Sequence, residues 1–253
     1  MKKSIAYLFI LLLVGSCNKK KQFSGPNFYQ DNFEAYHTLE DLLVPNDTFF
    51  SFTQQTITQN TITVDTTFYH TGKKSLRFDA VQSSDNLSKC SIAKQNMAFW
   101  QGETAQLTAW YYIQGDAPAQ WLFLFDFEEQ VPIGAGPGIR LALVDNKLRM
   151  EYKFFEKDIV QTPGSEIDFP RNQWVQLVWQ IKLHQKDKGS VRLWQDGKLI
   201  LSKDDVATLP KDILYAQQGT KKMYTSVEIG ATANTRDSDI TLWVDDVKFE
   251  KIN

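Results

Sequence analysis

Polar and apolar residues alternate in short runs along most of this chain. From Trp174 to Ile181 the apolar set is Val175, Leu177, Trp179 and Ile181, while Gln176, Val178 and Gln180 form a mostly polar set. A period of two puts the sets on opposite sides of a strand, one for a core and one for solvent. Runs of this kind predict strands over 62–65, 74–81, 88–94, 106–113, 121–128, 138–144, 147–155, 173–183, 190–194, 198–201, 225–232 and 240–250. Asp145-Asn146 and Asp196-Gly197 each stand between two such runs, and both pairs tolerate the left-handed backbone that a two-residue hairpin turn needs. Leu39, Leu42 and Leu43 lie near helical spacing, but Pro45 limits that stretch to a short helix. Many strands without crossover helices predict an all-β fold: an antiparallel β-sandwich over residues 27–253, one domain with short helical turns only.

The first residues follow a different pattern. Lys2 and Lys3 precede an apolar run from Ile5 to Val14, and Gly15-Ser16 lead to Cys17. The run is shorter than the roughly 20 apolar residues that span a bilayer, so residues 1–16 read as an export signal. Small residues directly before a cysteine resemble the bacterial lipobox, which implies lipidation of Cys17. Residues 17–26 are then a polar tether, and the domain belongs to the bacterial cell envelope, held on a membrane by its lipid and facing the periplasm or the cell exterior. An ordinary signal peptide with a chance cysteine is the plainer alternative.

Composition narrows the partners. Residues 1–21 hold five lysines and no acid, which leaves 23 of the 28 basic residues against all 30 acidic ones, a charge of −7. Such a domain repels phosphate backbones, so nucleic acid is excluded as a partner. Cys90 is the only cysteine besides Cys17, which rules out a cysteine-rich metal site and reads as a buried, inert thiol.

Candidate chemistry gathers on three predicted strands. Asp126 and Glu128 alternate with Phe125 and Phe127 and so share the side away from the apolar core. Arg140 on the next strand, and Arg149, Glu151 and Lys153 on the one after, are placed to share that side, where a mixed-charge face would grip sugar hydroxyls; cross-strand ion pairs on a solvated face are the alternative. Trp100 and Trp121 lie nearest to loops and are the candidate sugar platforms. Gly134-Ala135-Gly136-Pro137-Gly138 lacks the helix and lysine of a phosphate loop and reads as a tight or flexible loop at a cleft rim.

Four segments carry a family resemblance: His70-Thr71-Gly72-Lys73-Lys74-Ser75-Leu76-Arg77-Phe78, Asn172 to Leu177, Gly189 to Lys198, and Leu242 to Phe249. They resemble jelly-roll domains of the concanavalin A-like lectin and glucanase superfamily, nearest to polysaccharide lyases of the heparin-lyase type. The resemblance implies a concave sheet that holds glycans. It argues against a glycoside hydrolase, because Leu124 stands where the leading acid of the laminarinase pattern belongs and Pro170 interrupts the only other match. The lyase pattern of a Gln-x-His strand, an Arg strand and a Tyr-Lys strand is met by Arg140 and by Tyr152-Lys153, with Asp126-Phe127-Glu128 in place of the first. β-Elimination needs a cationic or amide group against the uronate carboxylate and a base. Arg140, Arg149 or Lys153 suits the first role, and Tyr112 suits the second because parity sends Tyr152 into the core. Asp31, Glu34, Asp245 and Asp246 resemble the structural calcium site of such domains, with capping of edge strands as the alternative. No catalytic cofactor is expected. The expected function is polysaccharide binding by an envelope lipoprotein; a lyase for a uronate-containing glycan is the alternative, and a non-catalytic structural envelope protein the third.

Overall fold

A computed structural model describes residues 25–43, 49–51, 59–82, 88–116, 119–129, 138–153, 156–210, 222–233 and 238–252. The signal, Cys17, Gly134 to Pro137 and Phe155 lie outside the described residues. The elements in chain order are β1 (Phe28–Asp31), α1 (Leu39–Leu42), β2 (Phe49–Ser51), β3 (Thr61–Asp65), β4 (Ser75–Ala80), β5 (Cys90–Lys94), β6 (Phe99–Trp100), β7 (Thr104–Ile113) and β8 (Leu122–Glu128). They continue with β9 (Gly138–Val144), β10 (Lys147–Lys153), β11 (Trp174–Lys182), β12 (Gly189–Gln195), β13 (Lys198–Val206), β14 (Met223–Tyr224), β15 (Ser226–Ala233) and β16 (Ile240–Ile252).

Two antiparallel sheets face each other across one core. The larger runs β13-β12-β11-β7-β16-β4-β3 with β1 added along β16; the smaller runs β10-β9-β8-β15-β5-β2; β6 and β14 form a separate pair. Consecutive strands pair in β11–β13, β8–β10 and β3–β4, but the other neighbours, such as β7 with β16 and β8 with β15, come from distant parts of the chain, so the sheets are interleaved as in a jelly roll. The inward sets meet between them: Tyr111 and Trp179 from the larger sheet lie 5.5 Å and 6.3 Å from the ring of Phe125 in the smaller one.

The two hairpins form by the turn chemistry of their sequences. Asp145 and Asn146 have φ of 48° and 60°, and Asp196 and Gly197 of 49° and 76°, which are the left-handed pairs that match strand twist. Thr38 caps α1 by accepting from Asp41 N, while the Asp41 carboxylate accepts from Thr38 N, and the helix ends at Leu42.

Strand ends and small strands differ from the alternation. β13 runs to Val206 rather than 201, although its last residues are exposed and polar, because its ladder to β12 continues through a bulge. β1, β2, β6 and β14 have four residues or fewer, too short for alternation to register. β8 carries a bulge between Phe123 and Phe125, and β15 an irregularity between Ile229 and Ala233. Gly230 lies in the latter with φ of 110°, where a Cβ would fall 2.6 Å from the Phe78 ring. The Tyr111 hydroxyl donates to the carbonyl of the bulged Leu124 at 2.5 Å.

Candidate active site

The bulge in β8 decides what its outward face presents. Below it Phe125 and Phe127 point into the core, so Asp126 and Glu128 point out; above it the parity reverses, and Phe123 turns outward beside Ala142 and Ala233. In register across the sheet stand Glu151, Arg140, Asp126 and Glu228, from β10, β9, β8 and β15. The next row is Lys153, Gly138, Glu128 and Ser226. Register and parity therefore bring all six charged candidates of these strands to one face, with Glu228 added.

Lys153 is the centre of the arrangement. Its Nζ lies 2.5 Å from Asp126 Oδ2 and 2.6 Å from Glu128 Oε2, and its side chain is only 6% exposed. It reaches both by passing over Gly138, which has no side chain to block the row; a Cβ there would fall 2.5 Å from Glu128 Cβ. The two carboxylates hold the Lys153 ammonium in its charged form by raising its pKa against the effect of burial. Asp126 also accepts from Thr232 Oγ1 at 3.1 Å. Glu228 is served from the other side by Lys89 Nζ at 2.8 Å and by the Ser91 hydroxyl. Asp126, Glu128 and Glu228 place oxygens within 4.8 Å of one another, a spacing that suits a metal ion, but two lysine ammonium groups already bond to this set.

The arginines form a second group. Arg149 donates to Glu151 Oε1 from Nε at 2.9 Å and comes within 3.5 Å of Asp158. Arg140 approaches Glu151 only to 3.4 Å, from Nε, and lays its guanidinium 4.0 Å above the Phe123 ring; that Nε is buried and has no hydrogen bond among the described residues. Trp121 packs its edge on Phe123, with ring centroids 4.4 Å apart. The face thus runs from a clamped lysine–carboxylate cluster, past two arginines, to an aromatic step of Phe123 and Trp121.

Other expected residues lie elsewhere. Tyr112 stands on the far side of the larger sheet, in register with Trp174 and Trp243 and 4.6 Å from Phe68, so the whole core separates it from the charged face. Its parity with Trp110, opposite to that of buried Tyr111, sends it there. Trp100 belongs to the small β6–β14 sheet rather than to this face. Tyr152 is a core residue whose hydroxyl donates to Ala207 O at 2.8 Å. The four acids of the expected calcium site are spent separately. Asp31 accepts from the Tyr29 and Tyr36 hydroxyls at 2.6 Å each, and Glu34 from the backbone N–H groups of Lys73 and Lys74. Asp245 accepts from those of His70 and Thr71, and Asp246 from the Thr71 hydroxyl. They do not form a group of three or more with oxygens within 4.8 Å of one another.

Sequence reasoning missed Lys89, Ser91, Glu228, Thr232, Phe123 and Gly138. Glu228 had a signal, a lone acid at an outward position between Val227 and Ile229. The contributions of Phe123 and Gly138 follow from a bulge and a cross-strand row, which no single stretch of sequence displays.

Fold and face together define a jelly-roll β-sandwich with a charged and aromatic sheet surface. The chain belongs to the polysaccharide lyase family, whose profile matches residues 31–248. No curated protein sequence matches it. Among solved structures it is similar to an endo-β-1,4-glucuronan lyase from the fungus Trichoderma reesei, at 15% identity over 89% of this chain and 94% of that one, with a TM-score of 0.63. It is also similar to the cellulose induced protein Cip1, at 14% identity over 87% and 96% with a TM-score of 0.61, and to the alginate lyase Aly36B, at 13% over 91% and 99% with 0.56. At these identities the likeness is one of fold.

Proposed function

We propose that this protein is a polysaccharide lyase that cleaves a uronate-containing glycan by β-elimination on the outer face of its six-stranded sheet. The observation that carries the reading is the convergence, in a chain of this family, of cationic groups from three parts of the sheet on one face: Arg140 from β9, Arg149 and Lys153 from β10, and Lys89 next to β5. A uronate carboxylate must be neutralised before its neighbouring carbon loses a proton, and a guanidinium does this with paired N–H donors. Arg140 is the best placed, because of these four cations it is the least closely paired, 3.4 Å from Glu151, and its guanidinium lies over the Phe123 ring. The glucuronan and alginate lyases among the structural neighbours make polyuronates the first substrates to test. Unsaturated products, read by ultraviolet absorbance, are the expected result.

One observation favours binding without turnover as the second reading. Lys153 is held by two carboxylates, and among the described residues neither a tyrosine nor a histidine stands on this face to act as base. A glycan that binds without giving an absorbing product would select that reading. We further propose that Cys17 carries a lipid that tethers the domain to the cell envelope, on the strength of the Val14-Gly15-Ser16-Cys17 sequence. Loss of membrane association in Cys17→Ser supports this, and unchanged association contradicts it.

A further inference from the structure

The charged face has one acid too many. Three carboxylates, those of Asp126, Glu128 and Glu228, share a region within 4.8 Å, and two ammonium groups bond to them. Lys89 serves Glu228, and Lys153 is divided between Asp126 and Glu128. Two of the carboxylates have a hydroxyl donor as well: Thr232 donates to Asp126 and Ser91 to Glu228. Among the described residues Glu128 has only its part of Lys153. The remaining charged groups do not change this account, because Arg140 on β9 turns to Phe123 and Glu151, and Arg149 on β10 is taken by Glu151 and Asp158. A buried negative charge without its own partner is relieved by taking up a proton.

We infer that Glu128 is the protonated member of this cluster and that it meets a glycan on this face as an O–H donor, not as a carboxylate acceptor. The second half of the inference rests on the glycan reading above. Glu128 is the member that solvent and ligand can reach, with 13% of its side chain exposed against 3% for Asp126 and 1% for Glu228. Burial and the neighbouring acids Asp126 and Glu228 raise its pKa, outweighing Lys153, whereas Lys153 and Lys89 together lower that of Asp126 against its burial. With Glu128 neutral, the cluster of three acids and two lysines has no net charge. An anionic sugar then approaches without repulsion and finds a donor whose one acidic proton is not committed to an acceptor among the described residues.

The test is a titration of the glutamate side-chain carboxyls by carbon NMR in the wild type and in Glu128→Gln, paired with calorimetric affinities for glucuronan and for alginate on both sides of the observed transition. Two glutamate carboxyls, those of Glu128 and Glu129, should titrate above the ordinary carboxylate range, and the one missing from Glu128→Gln is that of Glu128. Affinity should fall about tenfold as that group ionises, and Glu128→Gln, whose amide remains a donor, should bind with no such pH dependence. Equal melting temperatures verify that the variant is folded, and Asp126→Asn should keep a Glu128 signal. A Glu128 signal that titrates in the ordinary range overturns the proton assignment. A raised titration with unchanged affinity overturns the donor role. Absence of affinity for either polymer defeats the glycan reading and the donor role with it, while the NMR titration still decides where the proton sits.

Discussion

Lys153 reaches Glu128 across an intervening strand, with 2.6 Å between Nζ and Oε2, because the residue between them in the row is Gly138. The contact therefore depends on a position that contributes no side chain. Gly138→Ala should push Glu128 aside and separate the pair. We expect a destabilisation of about 2 kcal/mol, of the order seen when a buried site is overpacked, measured by urea unfolding. Lys153→Met tests the same relationship from the other end. It leaves the Asp126 carboxylate buried without its cation, which costs about 3–5 kcal/mol at neutral pH. The loss should shrink as the pH falls and Asp126 takes up a proton.

Glu129 gives a prediction of opposite sign. It follows Glu128 at the end of β8, is 1% exposed, and its Oε1 has no hydrogen-bond partner among the described residues. Burial pushes its pKa up to about 8. A carboxyl whose pKa is raised in the folded state favours folding least when ionised, so the wild type should lose stability as the pH rises from the unfolded value near 4.3 through about 8. Glu129→Gln removes the ionisation. Its unfolding free energy should exceed that of the wild type by about 1–3 kcal/mol at alkaline pH and match it near pH 4. Parallel pH profiles for the two proteins would refute the assignment.

The Cys90 thiol should be silent in the native protein. It is fully buried, directs its sulfur at the carbonyls of Thr61 and Asp79, and burial pushes its pKa up to about 12. Labelling by a thiol reagent at pH 8 should proceed only as fast as the protein opens, and should accelerate with urea in step with unfolding.

Alternation along single strands made much of this molecule legible. The inward set Val175, Leu177, Trp179 and Ile181 is buried, and Asp126, Glu128, Arg140, Arg149, Glu151 and Lys153 share one outward face. Both hairpins were readable because Asp145-Asn146 and Asp196-Gly197 determine their own turns. What stayed hidden depended on relations between strands. The bulge at Leu124 reverses parity, so Phe123 joins Arg140 and Trp121 rather than the core aromatics. The Glu228–Lys89–Ser91 half of the cluster comes from β15 and β5, which are distant in sequence and neighbours only through the interleaving of the sheet. Tyr112 was misplaced for a related reason: adjacent Tyr111 and Tyr112 point to opposite sides, and only the register with Trp174 and Trp243 tells which side is outward.

The charged face predicts which substitutions disable ligand recognition. Arg140→Ala removes a charge-assisted contact worth about 1.5–3 kcal/mol, so affinity for a polyuronate should fall at least tenfold with the fold intact by circular dichroism. Tyr112→Phe, on the opposite side of the sandwich, should leave affinity and turnover unchanged. A strong effect at Tyr112 together with none at Arg140 would put the ligand on the larger sheet.

The most direct measurement is the ultraviolet absorbance of purified domain incubated with glucuronan and, separately, with alginate. Elimination leaves a carbon–carbon double bond conjugated to the uronate carboxylate, so a lyase produces absorbance that rises with time and with enzyme concentration. The account predicts such a rise on at least one of the two polymers, and its collapse in Arg140→Ala. Flat absorbance on both, from protein that is folded and binds them, would contradict the lyase assignment and leave a glycan-binding member of the family.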